Sequence, residues 1–195
     1  MSDKKNERTV LAWCDLETTG LKPVIEHRIL EYALVFTDLE LNELGAIQHI
    51  VPQNVTIART LMDEYVTEMH TNNGLLEELE SYESRALQYN DSVAQEEQII
   101  LDTMKNVKNT VIDYEENVIF VIAGSTVGFD KGYLELHMPK LFAELHYRQL
   151  DVSSYKVGFP TIFGDATSEA HRAMADIRES IKKHELMLDI MRGAP

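Results

Sequence analysis

Val10-Leu11-Ala12-Trp13-Cys14-Asp15-Leu16-Glu17-Thr18-Thr19-Gly20 is the stretch whose reading decides the fold. Its first part, Val10 to Asp15, is apolar on both faces, as a central strand of an α/β sheet requires. Side chains of a strand alternate, so a chain extended through Glu17 points Asp15 and Glu17 to one face and Leu16 to the other. Two carboxylates then converge at a strand end. Hard divalent cations are held by such oxygen ligands, and Gly20 lets the chain turn away. The same six residues, Asp15 to Gly20, also read as an acidic turn after a strand, so a metal site requires further acids downstream.

Outward from this strand, Leu16 to Glu26 reads as a loop with turn residues Gly20 and Pro23, Arg28 to Phe36 as a second strand and Gly45 to Val51 as a third. Their short connections predict an antiparallel meander. Helical patterning follows at Ile57 to Met69 and Gly74 to Tyr82, and most clearly at Ser92 to Val111. There Val93, Ile100, Met104, Val107 and Val111 form one stripe, with Asp91 or Ser92 as N-cap. Val118 to Ala123 is a fourth strand closed by Gly124. A helix around Asp130 to His137 is stopped by Pro139, and Leu150 to Val152 is a short fifth strand. The last helix spans Ala173 to Met191 and buries Ile177, Ile181 and Leu188. Strands first, then helices alternating with strands, predict one α/β domain on a mixed sheet, residues 9–192, after a frayed N-terminus, residues 1–8.

The 195 residues suffice for one well-buried core. Cys14 is the sole cysteine, which suits a reducing cytoplasm. With no apolar run near membrane-spanning length and no apolar stretch behind the charged start, the chain reads as soluble and unexported. The formal charge is −15, from 33 acidic and 18 basic residues. Between Asp63 and Asp102 there are eleven acids and one base, Arg85, which reads as a solvated acidic face. Such a balance excludes the basic groove by which proteins hold long nucleic acid.

Two further acids lie within reach of the first pair. Asp130 follows the fourth strand near a helix opening, and Asp176 sits early in the last helix. Taken singly, each reads as a charge favoured by a helix N-terminus. His171 precedes Asp176 by five residues, about 140° around a helix, so His171 must sit ahead of the regular helix if both serve one site. An imidazole there, with an ordinary pKa of about 6.5, suits a base near neutrality. His27, His49, His70, His137, His146 and His184 read as surface residues.

Asp15 to Gly20, Gly128-Phe129-Asp130 after a strand, and His171 with Asp176 in a closing helix together form the pattern of the DEDDh branch of the DEDD 3′ to 5′ exonucleases. Residues 69–75, 146–153 and 171–180 are close to segments of its oligoribonuclease family, which the chain resembles over nearly its whole length. The resemblance implies an RNase H-like α/β fold, with helices on both faces of a mixed sheet. It implies hydrolysis of short single-stranded RNA, dinucleotides especially, from the 3′ end, but not of long duplex nucleic acid. Asp15, Glu17, Asp130 and Asp176 would bind two divalent metals, Mg²⁺ or Mn²⁺, with His171 as general base. Leu21 and Tyr65 match the wedge against the bases, and Thr126, Arg148 and Ser153 the cap on the 5′ phosphate. Tyr147 would reach in from the other subunit of a homodimer. Three positions depart from the pattern: Tyr65 stands where Trp is usual, Ser125-Thr126 where Asn-Ser is usual, and Gly158 to Ser168 lacks the usual basic, aromatic run. A DNA-trimming or proofreading exonuclease fits the same five reactive residues, and a catalytically silent RNA- or protein-binding module fits the same fold.

Overall fold

A computed structural model of the protein describes residues 7–82, 88–111, 117–164 and 172–193. Three strands come first, β1 (Glu7–Thr18), β2 (Ile29–Thr37) and β3 (Glu43–Ile50). Helices α1 (Val55–Thr60), α2 (Glu64–Asn72), α3 (Leu75–Ser81) and α4 (Tyr89–Val111) follow, then β4 (Asn117–Gly124), α5 (Gly128–His137) and α6 (Pro139–Glu144). The chain closes with β5 (Leu145–Asp151), α7 (Ser153–Gly158), α8 (Pro160–Phe163) and α9 (Ala173–Arg192). The strands form one mixed sheet in the order β3-β2-β1-β4-β5. The first three make the expected antiparallel meander, while β4 runs parallel to both β1 and β5.

The alternation of β1 sorts the two cores. Val10, Ala12, Cys14 and Leu16 pack with Val93, Ile100, Met104 and Val107 of α4 on one face. Leu11 and Trp13 pack with Ala173 and Ile177 of α9 on the other. Both faces are covered, which is why the run is continuously apolar. Asp15 and Glu17 are the next positions on the α9 side. At the same strand end Gly124 is obligatory, because a Cβ there would lie 2.8 Å from the Cys14 carbonyl oxygen.

Several boundaries differ from expectation for local reasons. β1 runs on through Leu16, Glu17 and Thr18, which read as loop. It also begins at Glu7, with Glu7 and Arg8 paired to Asn117 and Val118 instead of frayed. The 57–69 segment is two helices, because Asn54 caps α1 through the Ile57 N–H and Asp63 caps α2 through the Val66 N–H. α4 starts at Tyr89, so Asp91 lies in its first turn and Ser92 is buried, and neither is the cap. Pro139 ends α5 by opening α6, and β5 extends back to Leu145. On α9 the buried position near the C-terminus is Met187, one before the expected Leu188. No helix among the described residues is long and apolar enough to cross a membrane.

The acidic run is only partly a solvated face. Glu96 accepts from the Tyr32 hydroxyl at 2.7 Å, and Glu97 accepts the N–H groups of Lys140 and Leu141 at 2.7 and 3.1 Å, capping α6 across space. Glu97→Ala leaves those two amides without this acceptor and should cost about 1 to 3 kcal/mol in urea unfolding. Glu68→Ala, on the exposed side of α2, should stay within about 0.5 kcal/mol of wild type. Equal effects would show that the cap does not stabilise the fold.

Candidate active site

Because β1 stays extended, Asp15 and Glu17 leave the same side of the sheet, and the first turn of α9 brings Asp176 onto them. One oxygen from each carboxylate lies within 4.8 Å of the others. Asp130, in the first turn of α5, approaches from the next element, and its Oδ1 accepts the Leu16 N–H at 3.0 Å. Asp130 and Asp176 do occupy helix N-termini, as the macrodipole reading has it, but both also face the β1 acids. His171 lies outside the described residues, as does the 165–168 part of the atypical 158–168 segment; α9 begins at Ala173.

Burial, with crowding of like charge second, shows in the protonation of the site. Burial pushes Asp15 up to about 7, and the charges of Asp176 and Glu31 add to the shift. Glu17 is pushed up to about 9, by burial first and then by Asp15, Asp176 and Glu31, with Arg172 opposing. Burial, followed by the charge of Asp15, also holds Asp130 well above the carboxylate range. Hard oxygen donors that repel one another when ionised fit a divalent cation, whose charge relieves that repulsion.

Two neighbours of this cluster, His70 and Glu31, were not singled out in the sequence. His70 is fully buried, not a surface residue. Its Nε2–H donates to the Thr18 carbonyl at 2.9 Å, which turns Nδ1 toward Glu17 at 3.9 Å. Away from the cluster, His137 is buried as well instead of at the surface, its Nδ1 3.3 Å from the Tyr89 hydroxyl. Glu31 is buried on β2 opposite Glu17 and binds Arg172. A charge inside the otherwise apolar strand 29–36 was the one signal for Glu31; nothing local marked His70.

The expected cap residues fall into two pairs. Thr126 and Ser153 are joined by Asp151, whose Oδ1 accepts the Thr126 N–H at 3.0 Å, the Ser153 N–H at 2.9 Å and the Ser153 hydroxyl at 2.6 Å. Thr126 has φ +57°, a strained value for a β-branched residue, and the Asp151 contact anchors it there. Arg148 and Tyr147 lie earlier on β5, the guanidinium 5.2 Å from the centre of its own chain's Tyr147 ring. Leu21 and Tyr65 are both about 60% exposed. The turn carrying Leu21 is braced from below, because the buried Tyr133 hydroxyl donates to the carbonyls of Gly20 and Lys22 at 2.8 and 2.9 Å. Gly20 serves a close approach: a Cβ there would lie 2.1 Å from the His27 ring.

Residues 12–183 match the exonuclease family model RNase_T. An oligoribonuclease of Leifsonia xyli subsp. xyli is 34% identical over 94% of this chain and 83% of its own. That of Streptomyces griseus is 37% identical over 90% and 82%. Among solved structures, E. coli exonuclease I with a dA16 oligonucleotide superposes with a TM-score of 0.58 at 15% identity, over 90% of this chain and 40% of that one. The zinc-bound complex of the same enzyme with single-stranded DNA gives 0.57 at 15% identity, over 95% and 41%. This chain spans about two fifths of those exonuclease I chains, and their likeness establishes the RNase H-like exonuclease fold.

Raised carboxyl pKa values set the sign of a pH dependence. Asp15 and Glu17 bind protons more tightly folded than unfolded, so their contribution is fully present below the ordinary carboxylate range and is lost as pH rises through about 7 and about 9. In EDTA, the melting temperature should therefore fall across that window, and Glu17→Gln should flatten the fall. A melting temperature that rises with pH there would contradict the raised carboxyl values of this buried, crowded site.

Proposed function

The chain belongs to the oligoribonuclease family of exonucleases and is a 3′ to 5′ exoribonuclease; from that premise we propose that its substrates are short oligoribonucleotides, dinucleotides above all, cleaved to 5′ mononucleotides with two divalent ions, Mg²⁺ or Mn²⁺. The observation that carries this reading is the convergence of Asp15, Glu17 and Asp176, with Asp130 beside them. These four side chains would hold the ions, Asp130 with one oxygen already accepting the Leu16 amide. Ions held there would supply polarisation of the phosphoryl oxygens and a more acidic attacking water. His171 takes the proton of that water as it adds to phosphorus, and the 3′ oxygen of the preceding nucleotide leaves.

Length selection falls to the other end of the substrate. Thr126, Ser153 and Arg148 cap the 5′ phosphate, Arg148 through a planar fork suited to two phosphate oxygens. The Asp151 contacts that tie Thr126 to Ser153 support the cap. The partner subunit's Tyr147 completes it in a homodimer. That assembly is supported by β5 being an edge strand, with Tyr147 72% exposed and Val157 and Phe159 exposed after it. Leu21 and Tyr65 stack on the bases. A buried, lone Cys14 suits the cytoplasm.

A length series of 5′-phosphorylated oligoribonucleotides with Mg²⁺, run beside the matching deoxyribonucleotides, tests this directly. Turnover should be fastest on the diribonucleotide; equal rates on long strands or on DNA would overturn the substrate assignment. Asp15→Ala should abolish hydrolysis while the protein stays folded, and near-normal turnover at saturating Mg²⁺ would remove Asp15 from the ion site. His171→Ala should lower the rate by roughly 10² to 10⁴ with dinucleotide affinity little changed, as expected of a general base. Loss of affinity with the saturated rate intact would make it a binding residue. Arg148→Ala should cost more on a 5′-phosphorylated dinucleotide than on longer RNA, and dilution to monomer should show the same bias. Equal losses, or a fully active monomer, would reject the cap.

A further inference from the structure

Glu31 is a fully buried charge that the proposed hydrolysis leaves without a task. It sits opposite Glu17 in the β1–β2 register, where a further carboxylate adds to the repulsion on Asp15 and Glu17. Its surroundings compensate it completely. Arg172 donates from Nε to Oε2 at 3.0 Å and from Nη2 to Oε1 at 2.9 Å, a bidentate pair. Gln48 Nε2 donates to Oε1 at 2.6 Å, and the Ala173 N–H reaches Oε2 at 3.4 Å.

The place of these donors matters more than their number. Arg172 is the N-cap position of α9 and Ala173 its first residue, so the carboxylate grips the helix where it begins. Arg172 also reaches Glu78 of α3 at 2.7 Å, tying the helix start to a second element. Asp176 follows within the same turn. An ion pair kept only to hold the sheet to α9 would serve anywhere along the helix; this one lies at the turn that delivers a carboxylate to Asp15 and Glu17.

We propose that Glu31 and Arg172 are positioning residues of the ion site, a buried clamp that seats the first turn of α9 so that Asp176 meets Asp15 and Glu17. The role rests on the reading of those acids as metal ligands. It separates cleanly from an electrostatic one, because the Arg172 charge by itself disfavours a cation beside it. Removing that charge should tighten cation binding if only electrostatics matter, and weaken it if the clamp sets geometry.

The test is Mn²⁺ titrated calorimetrically into the substrate-free, full-length protein, with folding checked by circular dichroism. Arg172→Lys keeps the charge but offers a point contact in place of the fork. It should weaken Mn²⁺ binding roughly 10-fold, the loss usual for a partner that orients metal ligands. Arg172→Ala should weaken it at least as much, against the electrostatic expectation. A Lys variant that binds like wild type, or an Ala variant that binds as tightly or more tightly, overturns the clamp. If the Ala variant does not fold, the Lys variant decides alone. Wild type that takes up no Mn²⁺ overturns the metal reading itself and this role with it, whereas wild-type binding with unchanged variants overturns the clamp only.

Discussion

Burying like charges side by side is the constraint on which this structure turns. Asp15, Glu17 and Asp176 crowd within 4.8 Å, with Asp130 and Glu31 close by. A fold cannot hold so many ionised carboxylates together without compensation. Compensation comes in three forms. Protons stay on Asp15 and Glu17 to unusually high pH, the Leu16 amide and Ala173 N–H donate to neighbouring carboxylates, and Arg172 neutralises Glu31. A dication bound by these carboxylates would take over the compensating role of the protons.

A protein of charge −15 that acts on a polyanion must confine its attraction to a small region. The proposed cap fits that need. Thr126 would offer its hydroxyl, while Asp151, itself negative, accepts the Thr126 N–H, the Ser153 N–H and the Ser153 hydroxyl and so fixes both residues. In the proposed cap Asp151 would add no attraction, and Arg148 would supply the positive charge. A strand of many phosphates would gain from none of this beyond its end, and would meet the acidic surface elsewhere.

Legibility followed how local each feature is. The two-residue period of β1 made the facing of Asp15 and Glu17 readable, because a short apolar run with acids at its end has few other solutions. The meander, the existence of a fourth strand and the stripe of α4 were readable because their patterns are local too, while the parallel pairing of β4 with β1 was not read from the sequence. Helix boundaries were less so: Asp63 and Asn54 act as caps only because the chain turns there, and Pro139 reads as a stop unless the next helix is known to use it at its first position. Glu97 and Glu96 looked like surface charge within an acidic run, yet their partners lie far along the chain in α6 and on β2. His70 and Asp151 were missed for the same cause, since their roles are defined by Thr18, Glu17 and Thr126, which no local spacing connects to them.

The two residues proposed to meet the bases show how an exposed apolar group can belong to a rigid site. Leu21 and Tyr65 are each about 60% exposed, which in a mobile loop would give a stacking base little to rest on. Neither stands on such a loop. The carbonyls flanking Leu21 are held by the buried Tyr133 hydroxyl, and Tyr65 lies in the first turn of a helix capped by Asp63. Fixing the backbone beforehand reduces the ordering that binding would otherwise require, so contact area converts more fully into affinity. That matters here because a phenol ring offers less stacking surface than the usual indole. In the proposed complex, this support under Leu21 and Tyr65 would offset part of that loss, and the remainder would fall on the proposed phosphate cap, where Asp151 fixes Thr126 and Ser153.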